Sequence, residues 1–180
     1  PEDPRLCDCL EALGKVYAAR GQVDKAETQL KQALVLRETL VGQDHPELSE
    51  KHIMMGEFYT KSGKADAAEK HFLLGVTILE KVVARDHIAL ADPLNSLGTF
   101  LIKVKKFKEA EPVFLRAVDI IEKNGGNYDI RLAGNLTNLG LVYQFTNRMD
   151  KAEQVTKRSL ELQEKKIGTK DPRLLYTLTT

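Results

Sequence analysis

The stretch of the sequence that most suggests chemistry is Asp44-His45-Pro46, which places a carboxylate and an imidazole next to a proline. A similar stretch, Asp86-His87-Ile88, follows at an interval of 42 residues. An aspartate or histidine before proline or isoleucine is typical of a helix start, because the side chain can accept a hydrogen bond from a free backbone amide and proline is favoured at the first helical position. We therefore interpret these groups as helix caps and not as catalytic residues. The predicted cap positions are Asp3, His45, His87, Asp129 and Asp171.

The other reactive side chains form no recognisable catalytic or metal-binding pattern. His52 stands where the same interval elsewhere places leucine, which predicts a partly buried, hydrogen-bonded histidine, whereas His71 is expected to be solvated. Cys7 and Cys9 lie two residues apart and would point in different directions on a helix, so neither a disulfide nor a shared metal is expected. The sequence has no phosphate-binding glycine loop and no His-Glu-x-x-His motif. These observations predict no enzymatic activity, no metal and no cofactor.

The chain is built from internal repeats, and these determine the predicted fold. Apolar residues spaced three and four apart occur on both sides of Gly21, which predicts two helices in the first repeat. Small residues recur at matched positions, which predicts that the two helices of each pair cross closely. These small residues are Gly14, Gly56, Gly98 and Gly140 on the first helix and Ala26, Ala68, Ala110 and Ala152 on the second. The predicted repeats are 3–44, 45–86, 87–128 and 129–170, followed by the start of a fifth repeat or an end helix at 171–180, all within a single repeat domain at 1–180.

These columns resemble a known repeat family. The residues that carry the resemblance in the first repeat are Leu13, Gly14, Tyr17, Gly21, Ala26, Leu30 and Ala33. Their order resembles the tetratricopeptide repeat, and the longer period together with Ala110-Glu111-Pro112 resembles the kinesin light chain variety. The resemblance implies an all-α, right-handed superhelical solenoid of helix-turn-helix repeats, in which the first helix of each pair lines a concave groove. It also implies a protein-interaction module or scaffold that binds a peptide or helical segment in that groove, as a cargo adaptor does.

Groove positions can be assigned by repeat register once the resemblance is accepted. The expected partner-binding residues are Glu11, Lys15, Ile53, Glu57, Asn95, Thr99, Ile102, Asn138, Leu141 and Phe145. Register also points to Thr137 and Lys103. Asn95 and Asn138 are expected to hold the backbone of a bound segment through paired amide contacts, with an apolar strip beside them. Because Glu11 and Glu57 line the front half, a neutral or partly basic partner is expected.

Two other interpretations of the repeats stay open. The repeats are also compatible with a regulatory or sensor arm of a larger multidomain protein whose catalytic part lies outside this sequence. Alternatively, the groove holds a segment of the parent chain itself.

Composition limits the range of partners and environments. The formal net charge is +1, from 27 basic and 26 acidic residues, so no basic face for nucleic acid is expected. No apolar stretch approaches the roughly 18 residues that a membrane-spanning helix needs. Only two cysteines are present, which favours a reducing compartment and predicts a cytoplasmic protein. The end of the chain near Tyr176 is expected to expose apolar surface that permits self-association.

Overall fold

The computed structural model describes residues 3–125 and 130–167, and every regular element in those ranges is helical. The helices are α1 (Pro4–Ala19), α2 (Val23–Val41), α3 (Glu47–Lys61), α4 (Ala65–Val82), α5 (Ala91–Lys103), α6 (Phe107–Gly125), α7 (Ile130–Phe145) and α8 (Met149–Ile167). A short 3₁₀ helix, Ile88–Leu90, precedes α5. The chain divides into two compact units, Pro1–Val82 and Val83–Thr180, called unit 1 and unit 2 below. Each unit contains two helix pairs, and within each pair the helices are packed against one another.

Several predictions fall outside the described residues. These are the caps at Asp129 and Asp171, the fifth repeat or end helix at 171–180, and the self-association surface near Tyr176.

The predicted caps at the described helix starts are confirmed. The Asp3 carboxylate accepts a hydrogen bond from the Arg5 amide at 2.9 Å. His45 Nδ1 accepts one from the Glu47 amide at 3.3 Å, and His87 Nδ1 accepts one from the Ala89 amide at 3.2 Å. Each side chain satisfies a first-turn amide that would otherwise have no partner in the helix. The Asp-His stretches are therefore structural, as the spacing predicts.

The close crossing of the two helices in each pair is also confirmed. A Cβ atom added to Gly14, Gly56, Gly98 or Gly140 would lie only 2.6 to 2.9 Å from a side chain of the second helix. In the first three pairs that side chain is Leu30, Phe72 and Phe114, and in the fourth it is Thr156. Glycine at these positions lets the second helix bring a large side chain against the backbone of the first. The glycine column thus sets the distance between the helices.

The turns inside the helix pairs use the left-handed backbone region. In unit 1 the turn residues are Gly21, with φ of 72°, and Gly63, with φ of 74°. In unit 2 the corresponding residues are Lys105, with φ of 61°, and Asn147, with φ of 58°. Glycine adopts this conformation without steric cost, asparagine tolerates it, and lysine does so only with strain. The Lys105 turn is therefore the least favourable of the four.

A partly buried carboxylate joins the two helix pairs of unit 1. Glu27 on α2 forms ion pairs with Lys31 and with Lys64, and it accepts a hydrogen bond from the Tyr59 hydroxyl at 3.1 Å. The hydrogen bonds from Lys31 and Lys64, together with that from Tyr59, outweigh the effect of burial and lower the pKa of Glu27 to about 2. Glu27 is thus a charged link between α2 and the second pair.

Unit 2 has an ion pair at the corresponding positions, in which one guanidinium group donates both hydrogen bonds. Arg148, just before α8, donates two hydrogen bonds to the Glu111 carboxylate on α6, at 2.8 and 2.7 Å. The guanidinium group also lies 4.6 Å from the centre of the Tyr143 ring. Hydrogen bonding to Arg148 holds the pKa of Glu111 below its usual value, although burial acts in the other direction. Glu27 and Glu111 are two repeat lengths apart, so this glutamate has the same role in the first helix pair of each unit.

One histidine prediction is confirmed and the other is wrong. The His52 side chain is 8% exposed, and its Nδ1 lies 3.0 Å from Nδ1 of His71, as expected for a buried, hydrogen-bonded histidine. His71 was expected to be solvated, but it is only partly exposed. The reason is that α3 covers it, with the Tyr59 ring centre 5.3 Å from the His71 ring centre.

Candidate functional site

The predicted amide residues of unit 2 come together between α5 and α7. Asn138 Nδ2 donates a hydrogen bond to Asn95 Oδ1 at 3.1 Å and a longer one to Thr99 Oγ1 at 3.4 Å. Asn95 and Asn138 are half-buried and Thr99 is exposed. Among the described residues, no hydrogen bond occupies Asn95 Nδ2 or Asn138 Oδ1. An adjacent amide donor and acceptor can therefore bind the backbone of another chain.

The apolar side of this site ends in two stacked aromatic rings. Phe145, at the end of α7, is 63% exposed, and its ring is stacked on Phe107 with a centre distance of 4.6 Å and an interplanar angle of 11°. Ile102 and Leu141 are half-buried members of the predicted strip. Phe107 was missed by sequence reasoning, since it begins the second helix of its pair and not the first. Its aromatic character at a position that is valine or alanine in the first two repeats is the signal that could have revealed it.

Three lysines lie close in sequence to Phe107, one of the two stacked rings. Lys103, Lys105 and Lys108 are exposed and lie before, within and after the turn that leads into α6. Among the described residues, none of these three lysines forms an ion pair. The turn is therefore a local positive surface in a chain whose formal net charge is only +1. Lys103 is one of the positions that repeat register assigns to the groove.

The predicted charged residues of unit 1 are mostly paired with each other. Glu11 on α1 contacts Lys15 at 2.5 Å and Lys51 on α3 at 2.8 Å. Burial raises the pKa of Glu11, but the hydrogen bonds from Lys15 and Lys51 have the larger combined effect and hold it below its usual value. Glu11 is therefore an ionised carboxylate that two lysines already neutralise. Its ability to attract a basic partner is correspondingly small.

Unit 1 contains a pocket of about 550 Å³ formed by α1, the start of α2 and α3. Its apolar lining includes Ala18, Val23, Leu30, Met54 and Phe58. Lys15, Glu57 and Lys61 lie on the polar part of the lining. The pocket thus brings the predicted residues Lys15 and Glu57 to one place and adds an apolar floor that the repeat columns did not reveal.

Two other predicted positions lie elsewhere. Ile53 is half-buried and its side chain points toward α4, because a Cβ on Gly75 would lie 2.8 Å from Ile53 Cδ1. Thr137 is buried, with its hydroxyl 2.8 Å from that of Ser159, so its assignment to the groove by register is wrong. The hydroxyl of Ser159 forms a second hydrogen bond to the Ala133 carbonyl, which fixes Thr137 inside the helix pair.

The pocket of unit 1 and the aromatic pair of unit 2 occupy matching places in their repeats. Two repeat lengths separate Val23 from Phe107 and Lys61 from Phe145. In unit 1 a small apolar residue and a lysine leave an open pocket, whereas in unit 2 two rings are stacked at the same register. One scaffold position therefore has two different surfaces in the two units.

The described part of the chain offers neither a metal site nor a membrane-spanning helix. It contains no group of three histidine, cysteine, aspartate or glutamate side chains able to hold a metal ion. None of its helices has the length and apolar character needed to cross a bilayer.

Comparison with known proteins establishes the family. Two family profiles, each described as tetratricopeptide repeat, match residues 6–47 and residues 89–165. Between these ranges, α3 and α4 form a helix pair with the same glycine crossing at Gly56. The chain belongs to the tetratricopeptide repeat family, and the predicted all-α repeat fold is confirmed.

Solved structures point to the kinesin light chain variety of the repeat. The structure of BtubC (BKLC) from P. vanneervenii is similar with a TM-score of 0.84 and 23% identity, covering 98% of this chain and 70% of that one. A putative kinesin light chain from Podosopora anserina, with nearly identical TPR-like repeats, has a TM-score of 0.80 and 19% identity, covering 98% of this chain and 84% of that one. PilF of Pseudomonas aeruginosa has a TM-score of 0.66 and 20% identity, covering 97% and 67%.

These likenesses show the fold, and the resemblance to kinesin light chain repeats is confirmed at that level. A search of curated proteins gave no match. Tetratricopeptide repeats form scaffolds that bind proteins or peptides, and proteins of this family are generally not catalysts.

Proposed function

We propose that this chain binds an extended peptide segment of a partner protein on the first helices of the helix pairs within each unit, as a cargo adaptor resembling kinesin light chain would. The observation that carries the proposal is the amide pair of Asn95 on α5 and Asn138 on α7, which offers a free donor and acceptor, with the exposed Phe145 at the end of α7. Backbone recognition by the amides gives affinity without demanding a particular sequence, and the neighbouring apolar surface gives selectivity.

The spacing on α7 defines the expected ligand in unit 2. Asn138 and Phe145 are separated by two turns of helix, which is about 10 Å along the axis. An extended chain covers that distance in about three residues. A segment whose backbone is held by Asn95 and Asn138 would thus place an apolar side chain on Phe145 about three residues away. The unpaired Lys103, Lys105 and Lys108 favour a carboxylate beside that apolar side chain.

The pocket of unit 1 offers a second place for an apolar side chain. Its floor of Leu30, Met54 and Phe58 is apolar, and Lys61 lies at its edge. Because Glu11 is neutralised by two lysines, the front half does not favour a basic ligand as strongly as its composition predicts. We therefore propose a partner with apolar anchor residues and a neutral or acidic character for both units.

The test is a peptide-array screen with the wild type, the double variant Asn95→Ala plus Asn138→Ala, and Gln154→Ala as a control at an exposed position on α8. All three proteins should have the same helicity by circular dichroism before they are compared. We expect peptides with a shared apolar motif to bind the wild type and the control but not the double variant.

Equal binding by the double variant would refute the amide site. The screen is repeated with a longer parent protein that contains this chain. Peptide binding by this chain alone, but not by the longer protein, would indicate that another segment of the parent protein occupies the binding site.

A further inference from the structure

The histidine pair of unit 1 lies outside the lining of the pocket in that unit. His52 on α3 and His71 on α4 face each other through their Nδ1 atoms at 3.0 Å, with ring centres 5.2 Å apart. In the other three repeats, the position of His52 is leucine, and the position of His71 is glutamine or valine. At the contact between α3 and α4, two titratable imidazoles thus stand where the other repeats have side chains that do not titrate.

The contact depends on how many protons the pair holds. At neutral pH one imidazole donates its Nδ1 proton to the Nδ1 lone pair of the other. One added proton leaves this hydrogen bond possible, because an imidazolium still donates to the remaining lone pair. A second added proton removes the last acceptor, and two positive rings then face each other at hydrogen-bond distance in a partly buried site.

The charged groups around the pair set the order of these steps. From α2, Glu38 Oε1 lies 3.7 Å from His52 Nε2, and Lys31 is the positive charge of that helix that acts on His71. From α4, Lys70 also acts on His71. The Tyr59 ring of α3 covers His71, and its hydroxyl donates to Glu27. The carboxylate of Glu38 therefore favours the first proton on His52, whereas the lysines oppose a proton on His71.

We propose that His52 and His71 form an acid-sensitive clasp that holds α3 against α4 at neutral pH and releases this contact when both imidazoles are protonated. The direction of the pKa changes agrees with this geometry. Burial lowers the pKa of His52, and burial together with the positive charges of His52, Lys70 and Lys31 lowers the pKa of His71 to about 4. The folded histidine pair thus binds fewer protons than the unfolded pair between about pH 6.5 and pH 4, and its contribution to stability falls as the pH falls through that range.

The clasp lies on the helix that forms one wall of the pocket in unit 1. Met54 and Phe58, both on α3, are part of the pocket lining. Release of α3 from α4 would therefore also change the pocket, a consequence that rests on the proposed function. The clasp itself does not depend on any ligand.

The repeats supply matched variants for the test. His52→Leu places the leucine of the other three repeats at the same position, and His71→Gln places the glutamine that the first repeat has there, Gln29. Hydrogen exchange of the α3 and α4 amides is compared at pH 7 and pH 4, with each rate divided by the intrinsic rate at that pH. We expect protection in the wild type to fall about tenfold or more beyond the fall in either variant. An equal fall in the wild type and the variants would overturn the proposal.

NMR titration of the imidazole resonances in the wild type provides a second, independent measurement. We expect two coupled titration steps, with the second well below the ordinary histidine range. Two independent steps near pH 6.5, with no change in the α3 amide resonances, would overturn the proposal even if a variant failed to fold. Because neither measurement uses a peptide, a failure of the clasp is distinguished from a failure of the proposed binding function.

Discussion

Gly98 on α5 offers the sharpest test of how the helix pairs pack. A Cβ atom at this position would lie 2.6 Å from Phe114 Cζ and 2.8 and 2.9 Å from the two neighbouring ring carbons. Phe114 is fully buried at 0% exposure, so its ring has no solvent-filled space into which it can move. The Gly98→Ala variant must therefore displace either the ring or the whole of α6.

The expected change in stability combines two opposing effects. Forcing an extra carbon into a close-packed contact typically costs about 1–3 kcal/mol. Replacing glycine by alanine inside a helix recovers about 0.5–1 kcal/mol. Because the ring is enclosed, we expect the packing cost to exceed the helix gain, and Gly98→Ala to lower the free energy of unfolding of unit 2 by about 1–2 kcal/mol.

Gly134 provides the matched control within the same unit. It lies on α7 and is exposed, and among the described residues no atom beyond its own stretch of helix backbone lies within 4 Å of the position a Cβ would take. Gly134→Ala should therefore show the helix gain alone and raise the free energy of unfolding by about 0.5–1 kcal/mol. Urea unfolding, followed by circular dichroism in the helix band at about 222 nm, measures the free energy of unfolding of both variants on the same scale. If Gly98→Ala is as stable as Gly134→Ala, the glycine column does not set the distance between the helices.

Three further changes test other parts of the fold. In thermal unfolding, Lys105→Gly should leave the stability of unit 2 unchanged or raise it by about 0.5–1 kcal/mol, because the φ of 61° favours glycine. A loss of stability would contradict a strained turn at Lys105. Glu111→Gln should lower stability by about 0.5–1 kcal/mol through loss of the paired hydrogen bonds to Arg148, and less at high salt; an effect independent of salt would argue against an ionic contribution. For Glu27, whose folded pKa of about 2 lies below the usual 4.5, the contribution to stability is present above pH 4.5 and is lost as the pH falls toward 2. The stability difference between the wild type and Glu27→Gln should therefore shrink in that range, and a constant difference would contradict the ionised link.

The repeat columns were sufficient to predict the helix pairs but not the surfaces that those pairs present. The glycine column and the capped starts each follow from local geometry, so their spacing in the sequence determines their structure. The surroundings of His71 and Thr137 depend on side chains from another helix, Tyr59 in the first case and Ser159 in the second. Register places a residue on a helix, but it cannot say how far a neighbouring helix covers it.

The same limit explains why the candidate site was predicted only in part. Asn95, Thr99 and Asn138 could be assigned by repeat register, and they come together because α5 and α7, the first helices of the two repeats of unit 2, are neighbours. Phe107 was missed because it lies on a second helix, where the repeat gives no reason to expect a surface role. Its contact with Phe145 depends on two side chains that differ from their counterparts in unit 1.

That difference between the units has a physical consequence for recognition. The residues that set helix spacing are nearly the same in every repeat, because a change there would cost packing energy in the whole pair. The turn-proximal positions carry no such constraint, so Val23 and Lys61 in one unit can correspond to Phe107 and Phe145 in the other. An open pocket can accommodate a side chain, whereas an exposed ring offers only its face. Under the proposed binding function, the two units would therefore select different parts of a ligand even though their helices are built by the same rules.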